Sequence, residues 1–290
     1  MDIPVSAVRA IVEAALAEDI GWGDITTRAL VPPDHQGRAQ ALVKGEGILC
    51  GTEVFALAFT LWDPSLKVEV QVCDGSPVRR GDIVATVEGR AASILSAERV
   101  ALNFLQRLSG IATMTGRFVQ EVGDLPARVL ETRKTTPGLR LLEKYAVRTG
   151  GGSNHRYNLS DGVLIKDNHL AVIRSHGGDL PEAIERARQG VPLTIKVEVE
   201  VTTVEEGRAA AEAGADLILL DNMPVDQMRQ AVQAIRAVRA GERGRPLVEA
   251  SGGITLEMVR AIAGTGVDFL SSGALTHSFR ALDISLEMEV

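Results

Sequence analysis

The stretch "PLTIKVEVEVTTVEEGRAAAEAGADLILLDN", Pro192 to Asn222, contains one complete repeat of the grammar that governs the second half of the chain. Val197, Val199 and Val201 alternate with Lys196, Glu198 and Glu200, the period of two that a strand imposes. Thr202 with Glu205 then forms a capping box before "EEGRAAAEAGA", and a second apolar run ends in Asp221 and Asn222. Apolar strand, polar terminus, helix and next strand recur from Ala127 onward in "ARVLETRK", "DGVLIKD", "PLVEASGG" and "VDFLSSGA". Strands alternating with helices pair in parallel through right-handed crossovers. Six such strands fall short of an eightfold closure, so the expected class is α/β with an open, incomplete (β/α) barrel over residues 111–276.

Working backward, residues 38 to 95 have another character. "GRAQALVKGEGILCG", "LKVEVQVCDGS" and "GDIVATVEGRAASIL" predict short strands, with "TEVFALAFTLW" as a helix between them. A helical stripe of Val5, Val8, Ile11, Val12, Ala15 and Leu16 precedes them. The expectation is an N-terminal α/β sandwich domain over 1–110, joined by a returning strand from the terminal segment 277–290. Ser96 is the expected N-cap of a long bridging helix that ends near Val122 and is weakened by Gly110 and Gly116. Thr136 before Pro137 predicts the start of another helix, which Gly150 to Gly152 end.

Composition sets limits. A net charge of −7 with 3 % aromatic residues lacks the basic stripe and stacking rings of a nucleic-acid surface. No apolar run approaches the ~20 residues of a membrane span. The N-terminal stretch carries acids where a signal peptide would be basic, so a cytoplasmic protein is expected. Cys50 and Cys73 suggest neither a disulfide framework nor a zinc site and are expected to fill core.

Against this acidic background, the 24 residues from Arg133 to Arg156 gather six Lys or Arg (Arg133, Lys134, Arg140, Lys144, Arg148, Arg156) and His155, with Glu143 as the one acid. Such a cluster repels itself unless an anion arrives. In barrels the functional groups sit at the carboxyl ends of the strands. Those positions carry Arg133 and Lys134, then Lys166, then Glu198 and Glu200, then Asp221, and finally the turns Ser251-Gly252-Gly253 and Ser271-Ser272-Gly273. Cations come first, carboxylates next, and glycine turns suited to a phosphate last. Glu198 and Glu200 leave their strand on one face, which must be the interior if the valines pack beneath the helices. With Asp221 they offer oxygen ligands to Mg²⁺. His155 beside Arg156, in a glycine-rich loop, suits a planar carboxylate.

Taken together, "ETRKTTPGLR", "KYAVRTGGGSNHR", "LIKDNH", "KVEVE", "LLDN", "EASGGI" and "SSGALTHS" resemble quinolinate phosphoribosyltransferases, and "EDIGWGDITT" and "AERVALNFLQRLSGIAT" extend the likeness over nearly the whole chain. The resemblance implies phosphoribosyl transfer from 5-phosphoribosyl-1-pyrophosphate (PRPP) to quinolinate with decarboxylation, giving nicotinate mononucleotide, pyrophosphate and CO₂ in NAD biosynthesis. It implies Mg²⁺ and a homo-oligomer, dimer or hexamer. It assigns Thr132, Arg133, His155, Arg156 and Lys166 to substrate, with Arg99 reaching a neighbouring subunit's site and Lys134 meeting the pyrophosphate. Glu200 and Asp221 would hold the metal and ribose, with Glu198 as the alternative to Glu200. Ser251, Gly252, Gly253, Ser272, Gly273 and Ala274 fit the 5′-phosphate. Lys134, Lys166, Glu200 and Asp221 carry the catalytic expectation.

Rival readings make distinct demands. A nicotinate phosphoribosyltransferase or the molybdenum-transport-associated relative would need fewer cations than a dicarboxylate does. A Schiff-base aldolase would rest on a desolvated Lys166. A non-catalytic binding module would be expected to lose some of the acids, bases or glycine turns, all of which are kept.

Overall fold

The computed structural model describes residues 3–239 and 244–289. Spatial proximity divides the chain into two compact units, one of Met1–Gly116, Thr135–Gly151 and Leu275–Val290, the other of Arg117–Lys134 and Gly152–Ala274. The segment 135–151, which the strand-helix grammar assigns to the barrel, is thus grouped with the N-terminal module.

The first unit opens with helices α1 (Val5–Ile20) and α2 (Ile25–Leu30), then strands β1 (Gln36–Val43) and β2 (Gly47–Ile48) and helix α3 (Thr52–Trp62). Strands β3 (Lys67–Val70), β4 (Pro77–Val78) and β5 (Ile83–Arg90) lead into the long helix α4 (Ala91–Val122). Ala39, Ala41 and Val43 alternate inward along β1, and Val8, Val12 and Leu16 form the buried stripe of α1. Phe55 and Phe59 meet edge to face at 5.0 Å in α3. A four-stranded antiparallel sheet runs in the order β12-β1-β5-β3, where β12 (Ile284–Glu289) is the returning terminal strand expected from the sequence.

Several local expectations are corrected. Ser96 does not cap α4; the helix begins five residues earlier at Ala91, and the Ser96 hydroxyl donates back to the Ala92 carbonyl at 2.9 Å. Gly110 serves close approach, since a Cβ there would lie 2.4 Å from the Arg280 carbonyl oxygen. Pro137 does not open a helix. Helix α5 (Arg140–Thr149) starts later, because the Thr136 amide donates to buried Glu143 and holds the chain in a turn. Cys50 is buried as expected, whereas Cys73 is exposed.

Among the described residues, the second unit holds six parallel strands: β6 (Arg128–Leu130), β7 (Val163–Ile165), β8 (Val197–Val201), β9 (Leu217–Asp221), β10 (Leu247–Ser251) and β11 (Phe269–Ser271). Between them run α6 (Asp167–Ser175), α7 (Leu180–Gln189), α8 (Val204–Glu212), α9 (Val225–Ala237), and a 3₁₀ turn at Leu256–Met258 leading into α10 (Val259–Ala263). The short helix α11 (Ala274–His277) follows β11. The strand order is β6-β11-β10-β9-β8-β7, so β6 and β7, at its two ends, are left as edges. That is the open barrel the repeat count predicts. The cap of α8 is shifted by one position: Thr203 accepts the Glu206 amide at 3.1 Å, while Glu206 reaches back to the Thr202 amide at 3.1 Å. Among the described residues, no helix is long and apolar enough to cross a membrane.

Candidate active site

Strand register assembles the site. Glu200 lies opposite Leu219, which lies opposite Glu249, and further along the same strands Asp221 lies opposite Ser251. Residues in register share a face. That face is the barrel interior, because Leu130, Glu198, Leu217, Glu249 and Phe269 line one cavity of about 500 Å³. The opposite face carries Val197, Val199, Val201, Ile218, Leu220, Val248 and Ala250, all buried. Glu200, Asp221 and Ser251 therefore stand on the inner rim at the carboxyl ends of β8, β9 and β10. Lys166 follows β7 directly, with its amide donating to His169 Nδ1 at 2.9 Å. Arg133 and Lys134 follow β6, and Thr132 shapes their turn by accepting the Lys134 amide on its hydroxyl at 3.1 Å.

Charge crowds here in both signs. Burial raises the Glu200 carboxyl, and Asp221 raises it further, while Lys166 pulls it back; Asp167 and Glu198 add smaller upward pushes. Burial lowers the Arg156 guanidinium, and the Arg133 charge lowers it again, opposed by Glu198 and Asp161. Two acids side by side create demand for a hard cation, and two guanidiniums in a half-buried place create demand for an anion.

The structure separates the two candidate glutamates. Glu198 is buried and turned to His155, whose Nε2 lies 3.1 Å from its carboxylate and 3.5 Å from that of Glu249. Glu200 instead neighbours Asp221 and Lys166. Glu200 and Asp221, as oxygen donors, fit Mg²⁺. The triad His155, Glu198 and Glu249 also has the spacing of a metal site. His155 Nδ1 accepts the Arg156 amide at 2.7 Å, which in a neutral ring directs the Nε2 proton toward Glu198, and a metal held there would have to displace that proton.

At the glycine turns, Gly252 has φ +94° and Gly253 φ +59°. Asn222, the one described non-glycine residue with positive φ, at 52°, donates through Nδ2 to Asp221 at 2.7 Å. Ser272 is committed inside the protein, its amide to Leu130 O and its hydroxyl to Ile254 O, each at 3.0 Å. Ser271 donates to the Ser251 hydroxyl at 2.9 Å and brings a second hydroxyl to the rim. Gly273 and Ala274 follow Ser272 and are half-buried.

Arg99 is exposed on α4 in the first unit, and Arg140, Lys144 and Arg148 lie on α5, grouped with that unit, with Lys144 fully buried there. Two acids escaped the sequence reading. Glu131 and Glu249 are both fully buried. Glu249 could have been found from its parity, since it precedes Ser251 by two along an otherwise apolar strand.

Comparison with known proteins agrees over almost the whole length. The family model for the quinolinate phosphoribosyl transferase N-terminal domain matches residues 24–109, and that for the C-terminal domain matches residues 111–287. A Bacillus subtilis protein named as a probable nicotinate-nucleotide pyrophosphorylase (carboxylating) is 45 % identical over 271 residues, covering 93 % of this chain and 90 % of its own length. The chloroplastic nicotinate-nucleotide pyrophosphorylase (carboxylating) of Arabidopsis thaliana is 44 % identical, covering 99 % of this chain and 84 % of its own. The crystal structure of NadC from Streptococcus pyogenes superposes with a TM-score of 0.92 at 41 % identity, covering 100 % of this chain and 99 % of that one.

Proposed function

Because the chain belongs to the quinolinate phosphoribosyltransferase family, we infer that its barrel rim transfers the phosphoribosyl group of PRPP to quinolinate. The products are nicotinate mononucleotide, pyrophosphate and CO₂, on the route to NAD. The observation that carries this reading is the sorting of charge at the carboxyl ends of the strands: Arg133, Lys134 and Lys166 follow β6 and β7, while Glu200 and Asp221 end β8 and β9. Two ring carboxylates, a pyrophosphate and a 5′-phosphate are the anions such a site has to neutralise.

In the mechanism we propose, Arg133, Arg156 and Lys166 bind the quinolinate carboxylates and orient the ring nitrogen toward the ribose carbon. His155 braces this wall, with its Nε2 proton held toward Glu198. Lys134 stabilises the departing pyrophosphate. Glu200 and Asp221 face the positive charge that builds on the ribose ring as the bond breaks. These two carboxylates would also hold Mg²⁺, which when bound supplies charge neutralisation to the pyrophosphate. Attack by the ring nitrogen produces a pyridinium; the adjacent carboxylate then departs as CO₂, its bonding electron pair stays on the ring carbon beside the charged nitrogen, and that carbon takes up a proton from solvent to give nicotinate mononucleotide, so no nucleophilic Ser or Cys is needed. Ser251, the Gly252-Gly253 turn, Gly273 and Ala274 take the 5′-phosphate, with Ser271 donating to the Ser251 hydroxyl behind them. Ser272 supports them by fixing the backbone. Arg99, exposed on α4, is assigned to the site of a second copy in a homo-oligomer, and the protein is assigned to the cytoplasm.

The test is release of CO₂ from carboxyl-labelled quinolinate, which requires PRPP and Mg²⁺. The reading predicts stoichiometric CO₂ and nicotinate mononucleotide. Product formation from nicotinate without CO₂, or trapping of Lys166 by borohydride with a carbonyl substrate, would replace it.

A further inference from the structure

The loop carrying His155 and Arg156 crosses the gap between the edge strands β6 and β7, and one buried carboxylate organises it. Ser153 forms a parallel bridge to Leu130, with its amide on Val129 O at 2.8 Å. Glu131, the next residue of that strand end, accepts the His155 amide on Oε1 at 3.0 Å and the Asn154 side-chain amide on Oε2 at 2.8 Å. Asn154 in turn accepts the Tyr157 hydroxyl on Oδ1 at 3.0 Å. His155 then reaches Glu198 on β8 and Glu249 on β10, and Arg156 donates to Gly162 O at 2.7 Å. A fully buried carboxylate is expensive unless donors meet its oxygens. Glu131 satisfies that condition with groups of the loop itself, and both its oxygens are engaged there.

We propose that Glu131 is a positioning residue: by holding the Asn154 side chain and the His155 amide against β6, it sets His155 and Arg156 for the acceptor's carboxylates. This assignment of the acceptor rests on the function proposed above. The geometry demands an acceptor at both ends of the side chain. Glutamine offers one acceptor and one donor, so Glu131→Gln sets a donor against the Asn154 amide, which Asn154 escapes only by turning over and reversing its hydrogen bond with the Tyr157 hydroxyl.

That demand permits a polarity exchange. In the double variant Glu131→Gln/Asn154→Asp, the new amide at position 131 donates to the new carboxylate at position 154. The carbonyl oxygen left at position 131 still accepts the His155 amide, and Tyr157 still donates to position 154. Glu131→Gln is expected to raise KM for quinolinate about tenfold or more, with KM for PRPP within about twofold of the parent. Asn154→Asp alone, which sets two carboxylates together, should do the same. The double variant should return KM for quinolinate to within about threefold of the parent. Amide hydrogen exchange supplies a readout independent of the substrate: the His155 amide should be protected in the parent and the double variant and open in each single variant. An unchanged KM for quinolinate in Glu131→Gln, or equal losses for both substrates that the exchange of polarity does not rescue, would overturn the proposal. A parent that releases no CO₂ from quinolinate would instead defeat the functional reading, and protection of the His155 amide across the same variants would still decide the role of Glu131 in ordering the loop.

Discussion

Gly252→Ala puts the glycine turn to a quantitative test. Two costs arise. The backbone at φ +94° lies outside the range an L side chain prefers, a penalty of about 1–2 kcal/mol. The added Cβ would also sit 2.3 Å from Asn222 Oδ1 and 2.9 Å from the Asn222 backbone nitrogen. A rotamer change can clear the first contact but not the second, so Asn222 must move, at roughly 1–3 kcal/mol by analogy with overpacking. Gly253→Ala is the internal control. At φ +59° it incurs the backbone cost, but its nearest neighbour, Asn222 Oδ1, is 3.9 Å away. Displacing Asn222 disturbs its 2.7 Å hydrogen bond to Asp221 and its amide bond to Ser251 O at 3.0 Å. Steady-state kinetics should therefore show KM for PRPP rising about tenfold more in Gly252→Ala than in Gly253→Ala, the equivalent of about 1.4 kcal/mol. KM for quinolinate should differ little between the two, and thermal unfolding should rank them in the same order. Indistinguishable values for both variants would refute the argument that close approach, beyond backbone freedom, is what requires glycine at 252.

Further outcomes follow from other contacts. Lys134→Ala should lower kcat by roughly two or more powers of ten if the ammonium stabilises the leaving group; unchanged turnover removes it from that role. Arg107 Nε pairs with fully buried Glu143 at 3.1 Å. Arg107→Ala removes the guanidinium and leaves that buried carboxylate with the Thr136 amide but no opposite charge on Arg107, at a cost of about 3–5 kcal/mol, so Tm should fall on the order of 10 °C, whereas a shift of a degree would contradict the pairing. The Glu249 carboxyl is raised by burial and then by Glu198, with His155 opposing. A raised folded-state pKa contributes stability that is present below the unfolded value, about 4.3, and is lost as pH climbs toward the folded one. Tm of the parent should therefore decline with rising pH above that value, and Glu249→Gln should flatten the decline; an unchanged slope would show that Glu249 does not titrate there.

The parts of this molecule legible in its sequence are those set by short-range periodicity. Val197, Val199 and Val201 alternating with Glu198 and Glu200 located both the strand and its inner face, and register then carried Asp221 and Ser251 to the same rim. Helix α3 was legible for the same reason. Caps were less so. Two consecutive threonines made the start of α8 ambiguous by one residue, and Thr136-Pro137 imitated a helix start that the distant Glu143 carboxylate holds in a turn. Glu131 and Glu249 were missed because their partners are remote in the chain. An acid at the end of an apolar strand looks like a boundary until His155 and Asn154 are seen against it. Cys73 failed for a simpler reason: a small apolar residue beside a turn need not be inside.

A crystal structure with quinolinate bound tests the central claim most directly, that the cations at the strand ends form one anion-binding wall. The account predicts the two carboxylates against Arg133, Arg156 and Lys166, with the ring nitrogen directed toward Glu200 and Asp221. Quinolinate bound away from that rim, for example beside Arg128 and Lys196 at the amino ends of β6 and β8, would contradict it.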